Sequence, residues 1–440
     1  MILPTRRWFL VAVSLGMVAP LALLWPWASV AWFVLDVLWI AALAVDAVRT
    51  WRVPWTAIEV ARGAPPAFSV GRELPVVYRW RQRTRRPLYL IVREDLPSRL
   101  QMPAADRRGL LLPPDEVVRE ELRARPLRRG REQAGRIFLR LRGAWGLVWR
   151  QGTIDLPWTV LVYPDMAKLT VRALPTQRQR RREAGQRTVR HLGEGRAFES
   201  LKEWVPGEDT RTIDWKATAK RGKTMARQFE DERRQQVLIL VDAGRLLTAE
   251  IDGVPRIEAV VDAALQLAHS AVAHDDNIGI MIFADHVQHF VPPARGRRAL
   301  RSVLDALATM EGRVVESDYP AAFAFLAAHN RRRALTVFFT DVIDRTASDA
   351  LVAQAVSLRP RHIPLAVTLR DPQLERIATR RPDTVGEAFD RAAAEELLLA
   401  REEALAEMRM RGVIVLDVAP SNAATAVVHQ YTQLKRRGVL

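Results

Sequence analysis

The 440-residue chain has no cysteine. That excludes disulfides, thiolate nucleophiles and cysteine-ligated zinc, and leaves the cellular compartment open. Several other signatures are missing. No Gly-x-Ser-x-Gly nucleophile elbow and no His-Glu-x-x-His zinc motif occurs. Arg221-Gly222-Lys223-Thr224 imitates the end of a phosphate-binding loop, but Ala217 stands where that loop needs its first glycine, and no apolar strand leads into it. His269 and His274 are spaced off a shared helical face, and His286 and His289 fall on opposite faces of a strand, so neither pair suits a metal. Nothing so far points to an enzyme.

What is present is an excess of positive charge. Lys and Arg total 67 against 50 Asp and Glu, a net charge of +17. That balance suits an anionic lipid, nucleic acid or acidic protein surface. With 49% hydrophobic residues the chain is expected to fold, and its length allows two domains beyond an anchor.

The N-terminus reads as that anchor. Residues 8–25 carry no charged side chain, and residues 27–48 carry only Asp36 and Asp46. Each run matches the ~20 residues that cross ~30 Å of hydrocarbon as helix. Pro26, between Trp25 and Trp27, suits a turn at headgroup level. Residues 1–49 therefore read as a two-helix transmembrane hairpin. Asp46 is near enough to the end to reach the interface, whereas Asp36 sits mid-span and needs a proton or a partner. Arg6 and Arg7 precede the first run, and Arg49, Arg52 and Arg62 follow the second. The positive-inside rule then places both ends in the cytoplasm, as a multi-pass membrane protein. Thr5-Arg6-Arg7-Trp8-Phe9-Leu10 also looks like a twin-arginine export signal, but a second apolar run follows where a cleavage site is due.

Residues 50–170 show short apolar runs at 74–80, 88–92, 137–141 and 158–163, separated by Pro, Gly and Arg. The partial alternation of Arg136 to Arg142 is strand periodicity, and the segment reads as a small β-sandwich. Residues 171–194 form a basic linker. Between Val171 and Arg190 lie seven arginines and one glutamate, with no aromatic residue for stacking on bases. That favours anionic headgroups, or plain solvation, over nucleic acid.

Residues 195–440 alternate strand and helix. Strands are expected at 237–241, 278–283, 287–291, 335–340, 363–369 and 413–418, with helices at 257–274, 297–310, 348–358, 387–410 and 422–435. Such alternation predicts an α/β fold: an open, doubly wound, mainly parallel sheet with ligands beyond the carboxyl ends of its strands. Asp242 and Asp341 stand at two of those ends, where helix capping is the plainer role.

One segment is distinctive. Residues 203–221 read EWVPGEDTRTIDWKATAKR. They resemble the signature of the bacterial domain of unknown function 58 (DUF58) family, whose pattern is aromatic-x-Pro-Gly-acid-Asp-x-Arg-x-Ile-x-Trp-x-x-(Ser/Thr)-Ala-(Lys/Arg). Trp204, Pro206, Gly207, Asp209, Arg211 and Trp215 fill it here and, with Asp214, read as a partner surface or an interdomain strut. Arg129-Gly130, Gly143-Ala144-Trp145-Gly146-Leu147 and Val162-Tyr163-Pro164 look like further family elements.

The resemblance implies a von Willebrand factor A-like C-terminal domain. Such domains often hold Mg²⁺ at an Asp-x-Ser-x-Ser loop, a hydroxyl on a second loop and an Asp on a third. Asp242, Ser317 and Asp341 match those places, but Gly244 and Leu246 replace both serines, and Arg245 adds a cation. A hard ion that wants oxygen ligands is disfavoured there. Arg245 is expected to pair with Asp242 or Asp341 in its stead. The resemblance further implies a non-enzymatic adaptor that works with a MoxR-type AAA+ ATPase. The alternatives are a metal-dependent membrane-anchored hydrolase and a basic nucleic-acid binder.

Overall fold

The computed structural model describes residues 1–20, 26–167, 197–205, 210, 213–230, 235–251, 253–342, 345–359 and 361–440. The chain divides into two compact units, Met1–Asp165 and Met166–Leu440. The basic linker expected at 171–194 lies outside the described residues.

In the first unit a short strand β1 (Ile2–Pro4) leads into helix α1 (Arg6–Val18), whose first turn is capped by Thr5. Helix α2 runs Pro26–Trp51. The expected hairpin is met only in part. Among the described residues one helix, Trp27–Trp51, is long and apolar enough to cross a membrane. The 13 residues of α1 reach about 20 Å at 1.5 Å per residue, short of the hydrocarbon thickness. Residues 21–25, where the first run continues, lie outside the described residues. Pro26 is not the connection: it opens α2, where its missing N–H costs no hydrogen bond.

The remaining strands of this unit are β2 (Ile58–Gly63), β3 (Phe68–Ser69), β4 (Leu74–Gln82), β5 (Leu88–Glu94), β6 (Leu100–Gln101), β7 (Arg108–Leu112), β8 (Val117–Pro126), β9 (Gly130–Arg142) and β10 (Val148–Tyr163). One sheet runs β1-β10-β9-β5-β7, with β3 on β10, and the other runs β2-β4-β8-β6. Val76, Tyr78, Trp80 and Leu122 from the second sheet share a core with Leu90, Val92, Leu139, Leu141 and Val160 from the first. Alternate residues of β4 and β5 are buried, as the period of two requires. All four apolar runs marked in the sequence lie in these strands.

The second unit opens with an antiparallel ribbon, β11 (Ala197–Glu203) and β12 (Met225–Glu230), joined through helix α3 (Trp215–Arg221). Strand β13 (Gln236–Asp242) and helix α4 (Arg245–Thr248) follow, then a small hairpin of β14 (Glu250–Ile251) and β15 (Val254–Pro255), and helix α5 (Arg256–Ala273). After them come β16 (Asn277–Phe283), β17 (Val287–Arg295), α6 (Gly296–Thr309), α7 (Tyr319–His329), β18 (Leu335–Phe339), α8 (Arg345–Ser357), β19 (Ile363–Leu369), α9 (Pro372–Thr379), α10 (Val385–Met410), β20 (Ile414–Val418) and α11 (Ala423–Arg436).

The main sheet has the order β17-β16-β13-β18-β19-β20, parallel except for the β16–β17 edge. Successive residues of β13 feed opposite faces. Val237, Ile239 and Val241 pack with α5, α6 and α11, while Leu238 and Leu240 pack with α7, α8 and α10. A strand covered on both faces reads as a continuous apolar run, which is how it stands in the sequence. Helix α7 was not marked in the sequence. Its stretch YPAAFAFLAAH is apolar all round, so no amphipathic period shows.

Candidate functional site

The expected acidic tips do converge. Strands β13 and β18 pair in parallel with Val241 opposite Phe339, so Asp242 and the Thr340-Asp341 pair leave the sheet side by side. The chain order switches between these two strands, β13 leading out to β16 on one side and β18 onward to β19 on the other. That is where a crevice forms in open sheets of this kind.

Asp242 is buried and takes hydrogen bonds from four neutral donors. Ser317 Oγ and the Gly244 amide, at 2.9 Å, reach Oδ1, while Tyr319 Oη at 2.7 Å and Thr340 Oγ1 at 2.9 Å reach Oδ2. So Asp242 and Ser317 come together as expected, and Tyr319 and Thr340 join them. The signal for Tyr319 was its place just after Ser317-Asp318, where Asp318 caps α7 and turns the phenol inward. Burial, and then the adjacent Asp242, push the Tyr319 phenol well above the usual tyrosine range, so it stays a donor.

Gly244 explains the missing serine. A Cβ there would stand 2.1 Å from Ser317 Oγ and 3.0 Å from Asp242 Oδ1. The Ser317 hydroxyl fills the space that a side chain at 244 would need, so the two loops carry one hydroxyl between them.

Asp341 is settled differently. Its carboxylate lies between Arg256, from the start of α5, and Arg401 Nη1 of α10 at 2.6 Å. Arg256 also reaches Asp371 at 2.7 Å, and Arg401 reaches Asp417 at 2.9 Å. Burial works against the charge of Arg401, but Asp341 and Asp417 more than offset it, and its pKa is raised. Asp341 is thus ion-paired, but not with the Arg245 that the sequence suggested. Arg245 faces outward and lies 3.6 Å from the exposed Glu316. The reason is local: its amide is tied to the Val315 carbonyl, and the residue opens α4 on the outside of the loop. Arg256 and Arg401 were missed because they lie 85 and 60 residues from Asp341, a separation no local pattern reveals.

Arg256, Asp341, Asp371, Arg401 and Asp417 line a cavity of about 620 Å³ beyond the strand ends, with Leu246 and Leu397 on its apolar side. Its carboxylates already face guanidinium groups or hydroxyls. Among the described residues no group of three or more metal-ligating acids or histidines occurs. A divalent cation would have to displace Arg256 and Arg401 from Asp341 and the hydroxyls from Asp242, so this donor set does not fit Mg²⁺.

The signature segment is only partly described: Pro206, Gly207, Asp209 and Arg211 lie outside the described residues. Trp204 is half-buried, and its amide donates to the Thr224 carbonyl at 2.8 Å. Asp214 caps α3 through the Ala217 amide at 3.0 Å, and Trp215, the first residue of that helix, is 70% exposed. Gly222 ends α3 at φ +67°, so the false phosphate-binding loop is a helix stop.

The first unit holds a further arrangement that the sequence did not announce. Asp46, expected at the interface, is fully buried. Its carboxylate accepts the amides of Trp145 at 3.0 Å, Leu147 at 2.9 Å and Val148 at 3.3 Å, in the turn between β9 and β10. A Cβ at Gly143 would stand 2.2 Å from Asp46 Oδ2, so the turn needs glycine there for close approach. Arg150 donates to the carbonyls of Thr50 at 3.1 Å, Trp51 at 2.9 Å and Val53, closing the last turn of α2. Thr5 binds the Gly146 carbonyl at 2.7 Å. The lower ends of both N-terminal helices are thus fixed to one β-turn.

Comparison with known proteins places the signature but not the whole chain. A family model described as "Protein of unknown function DUF58" matches residues 200–388. Uncharacterised proteins of Mycobacterium bovis and Mycobacterium tuberculosis are each 25% identical over 183 residues, 41% of this chain and 55% of theirs. The chain therefore spans about half the length of the curated relatives it matches. Among solved structures, part of an Escherichia coli alpha-2-macroglobulin overlaps 24% of this chain and 16% of its own at 16% identity, with a TM-score of 0.20. A Porphyromonas gingivalis protein of unknown function overlaps 25% of this chain and 50% of its own at 14% identity and the same TM-score.

Proposed function

We propose that this protein is a membrane-anchored docking module, not an enzyme, and that it works with a MoxR-type AAA+ ATPase in envelope or complex assembly. The observation that carries this reading is the neutralised crevice. Both strand-tip carboxylates are engaged, Asp242 by hydroxyls and an amide and Asp341 by Arg256 and Arg401. A general base needs a free lone pair, and a metal needs unclaimed oxygens. The crevice instead offers fixed, alternating charges beside an apolar wall, which is the character of a recognition surface. The open, mainly parallel sheet supports the von Willebrand factor A-like reading drawn from the signature, and the ATPase partner follows from the same resemblance. Helix α2, exposed and apolar, supports anchoring in the inner membrane with the second unit in the cytoplasm.

The test is affinity capture of the tagged full chain from native membranes, beside phosphoesterase assays of the purified chain with Mg²⁺ and Mn²⁺. A MoxR-type ATPase enriched with wild type, and lost on Arg256→Glu, is expected. Metal-dependent turnover abolished by Asp242→Asn would instead establish the hydrolase.

A further inference from the structure

Some arginines of the first unit are matched with acids: Arg62 meets Glu94, Arg83 meets Glu59 at 2.5 Å, and Arg108 meets Glu120 at 2.8 Å. Another group gathers around one space without an acid. A cavity of about 520 Å³ is lined by Arg7, Arg49, Arg85, Arg86 and Arg142, and no carboxylate lines it. Its size falls within the ~300–1,000 Å³ of small-ligand sites. Two of the five guanidinium groups rest on rings, Arg49 on Trp145 at 5.2 Å and Arg142 on Tyr89 at 5.9 Å. Five like charges around one space repel each other unless an anion enters, and guanidinium forks fit phosphate oxygens in pairs.

The arginines are carried on fixed supports. Arg85 and Arg86 sit on the β4–β5 turn. Gln82 clamps that turn, accepting from the Thr84 amide at 2.7 Å and donating to the Arg86 carbonyl at 2.9 Å. Arg142 ends β9, next to the turn locked by Asp46. Arg7 lies in the first turn of α1 and Arg49 in the last turn of α2. The cavity therefore opens at the level where the apolar surface of α2 stops. Exposed Trp51 and Trp145 stand at the same level, as aromatic side chains do at a headgroup boundary.

We propose that this cavity binds the phosphodiester headgroup of an anionic phospholipid. The inference rests on the insertion of α2 in a bilayer and goes beyond the docking reading of the second unit. A headgroup brings its phosphate to this depth, its acyl chains run along exposed α2, and the arginine ring supplies the counter-charge.

The experiment uses the full chain in nanodiscs of phosphatidylcholine alone or doped with phosphatidylglycerol or diphosphatidylglycerol, with native mass spectrometry counting retained lipid. Wild type should retain anionic over neutral lipid. Arg85→Gln/Arg86→Gln/Arg142→Gln should lose that preference by roughly a hundredfold, as expected when three basic contacts near the surface are removed. The lysine triple variant should recover part of it, which separates loss of charge from misfolding. Arg128→Gln, an exposed arginine outside the cavity, should match wild type. A further arm adds glycerophosphate or inorganic phosphate to the chain in neutral discs. Protection there equal to that by lipid would make the ligand a soluble phosphate and overturn the proposal. Equal retention of neutral and anionic lipid by wild type would overturn it too. Alkaline carbonate extraction is scored separately: a chain released by carbonate refutes the anchor, whereas an inserted chain without lipid preference refutes only the site.

Discussion

Two buried carboxylates, one in each unit, are held by opposite means. Asp46 is met by three backbone amides of a single turn and, among the described residues, is ion-paired with no cation. Asp341 is met by two guanidinium groups from helices distant in sequence. Amides of a fixed turn need no side-chain ordering, so Asp46 makes a local lock between the end of α2 and the β9–β10 turn. Arginines lose rotamer freedom on pairing and bring their own desolvation, but they reach across the fold. Asp341 therefore gathers α5, α10 and, through Asp371 and Asp417, the ends of β19 and β20. The first device stiffens a joint. The second ties distant helices and strand ends together around one crevice.

If that contrast is right, the largest effect comes from breaking the network in the second unit. Arg401→Ala leaves Asp341 with Arg256 alone and takes the nearest cation from Asp417 in a poorly solvated site, and should cost about 3 kcal/mol. Loss of amide protection in β18 and β20 by hydrogen exchange would report it, with the β9–β10 hairpin unchanged. Arg245→Ala serves as the control: its exposed partner at 3.6 Å predicts a change within about 0.5 kcal/mol. Equal losses from the two would place the counter-ion where the sequence put it and end the comparison. Next comes the lock in the first unit. Asp46→Ala leaves three amides without an acceptor and should cost about 2–3 kcal/mol, seen as faster exchange at residues 145–148. Asp46→Asn keeps one carbonyl and should lose less. A variant with unchanged exchange in that turn would show that the amides find water, and that the joint is not built on Asp46.

The same contrast shows which parts of the molecule were legible. Strands β13, β16, β18 and β19 stood out because both faces are buried and the runs are unbroken. Helices α5 and α10 stood out through period or length. Asp242 and Ser317 were legible through the signature's likeness, which supplies spacing across 75 residues. Arg256 and Arg401 were not, because an arginine on a helix reads as a solvated charge until the fold sets it against an acid. The partners of Asp46 were hidden for a related reason. An acid near the end of an apolar helix reads as reaching water, and nothing local announces a turn 99 residues later with three free amides.

The smallest effect separates the two strand-tip carboxylates from each other, and it depends on pH. Asp242 is held by neutral hydroxyls, of which only Tyr319 can ionise in an accessible range. Its phenol pKa is raised in the folded state, first by burial and then by Asp242. A raised folded pKa means that the stabilisation is complete below the unfolded tyrosine value near ~10 and is lost as pH climbs above it, because the unfolded chain ionises first. Near pH 8, Tyr319→Phe should therefore be less stable than wild type by about 1 kcal/mol, the worth of one hydrogen bond. Above pH ~10 wild type carries a penalty of up to about 1.4 kcal/mol per pH unit that the phenylalanine variant escapes. The two stability curves should converge and then cross. Tyr78 and Tyr431, whose phenols burial also pushes upward, are common to both proteins and cancel from the difference. Arg401→Ala, acting on a guanidinium that stays charged throughout, should show no such crossing. A constant gap between wild type and Tyr319→Phe from pH 8 to 11 would mean that the phenol does not donate to Asp242, and would remove the distinction between a carboxylate held by hydroxyls and one held by cations.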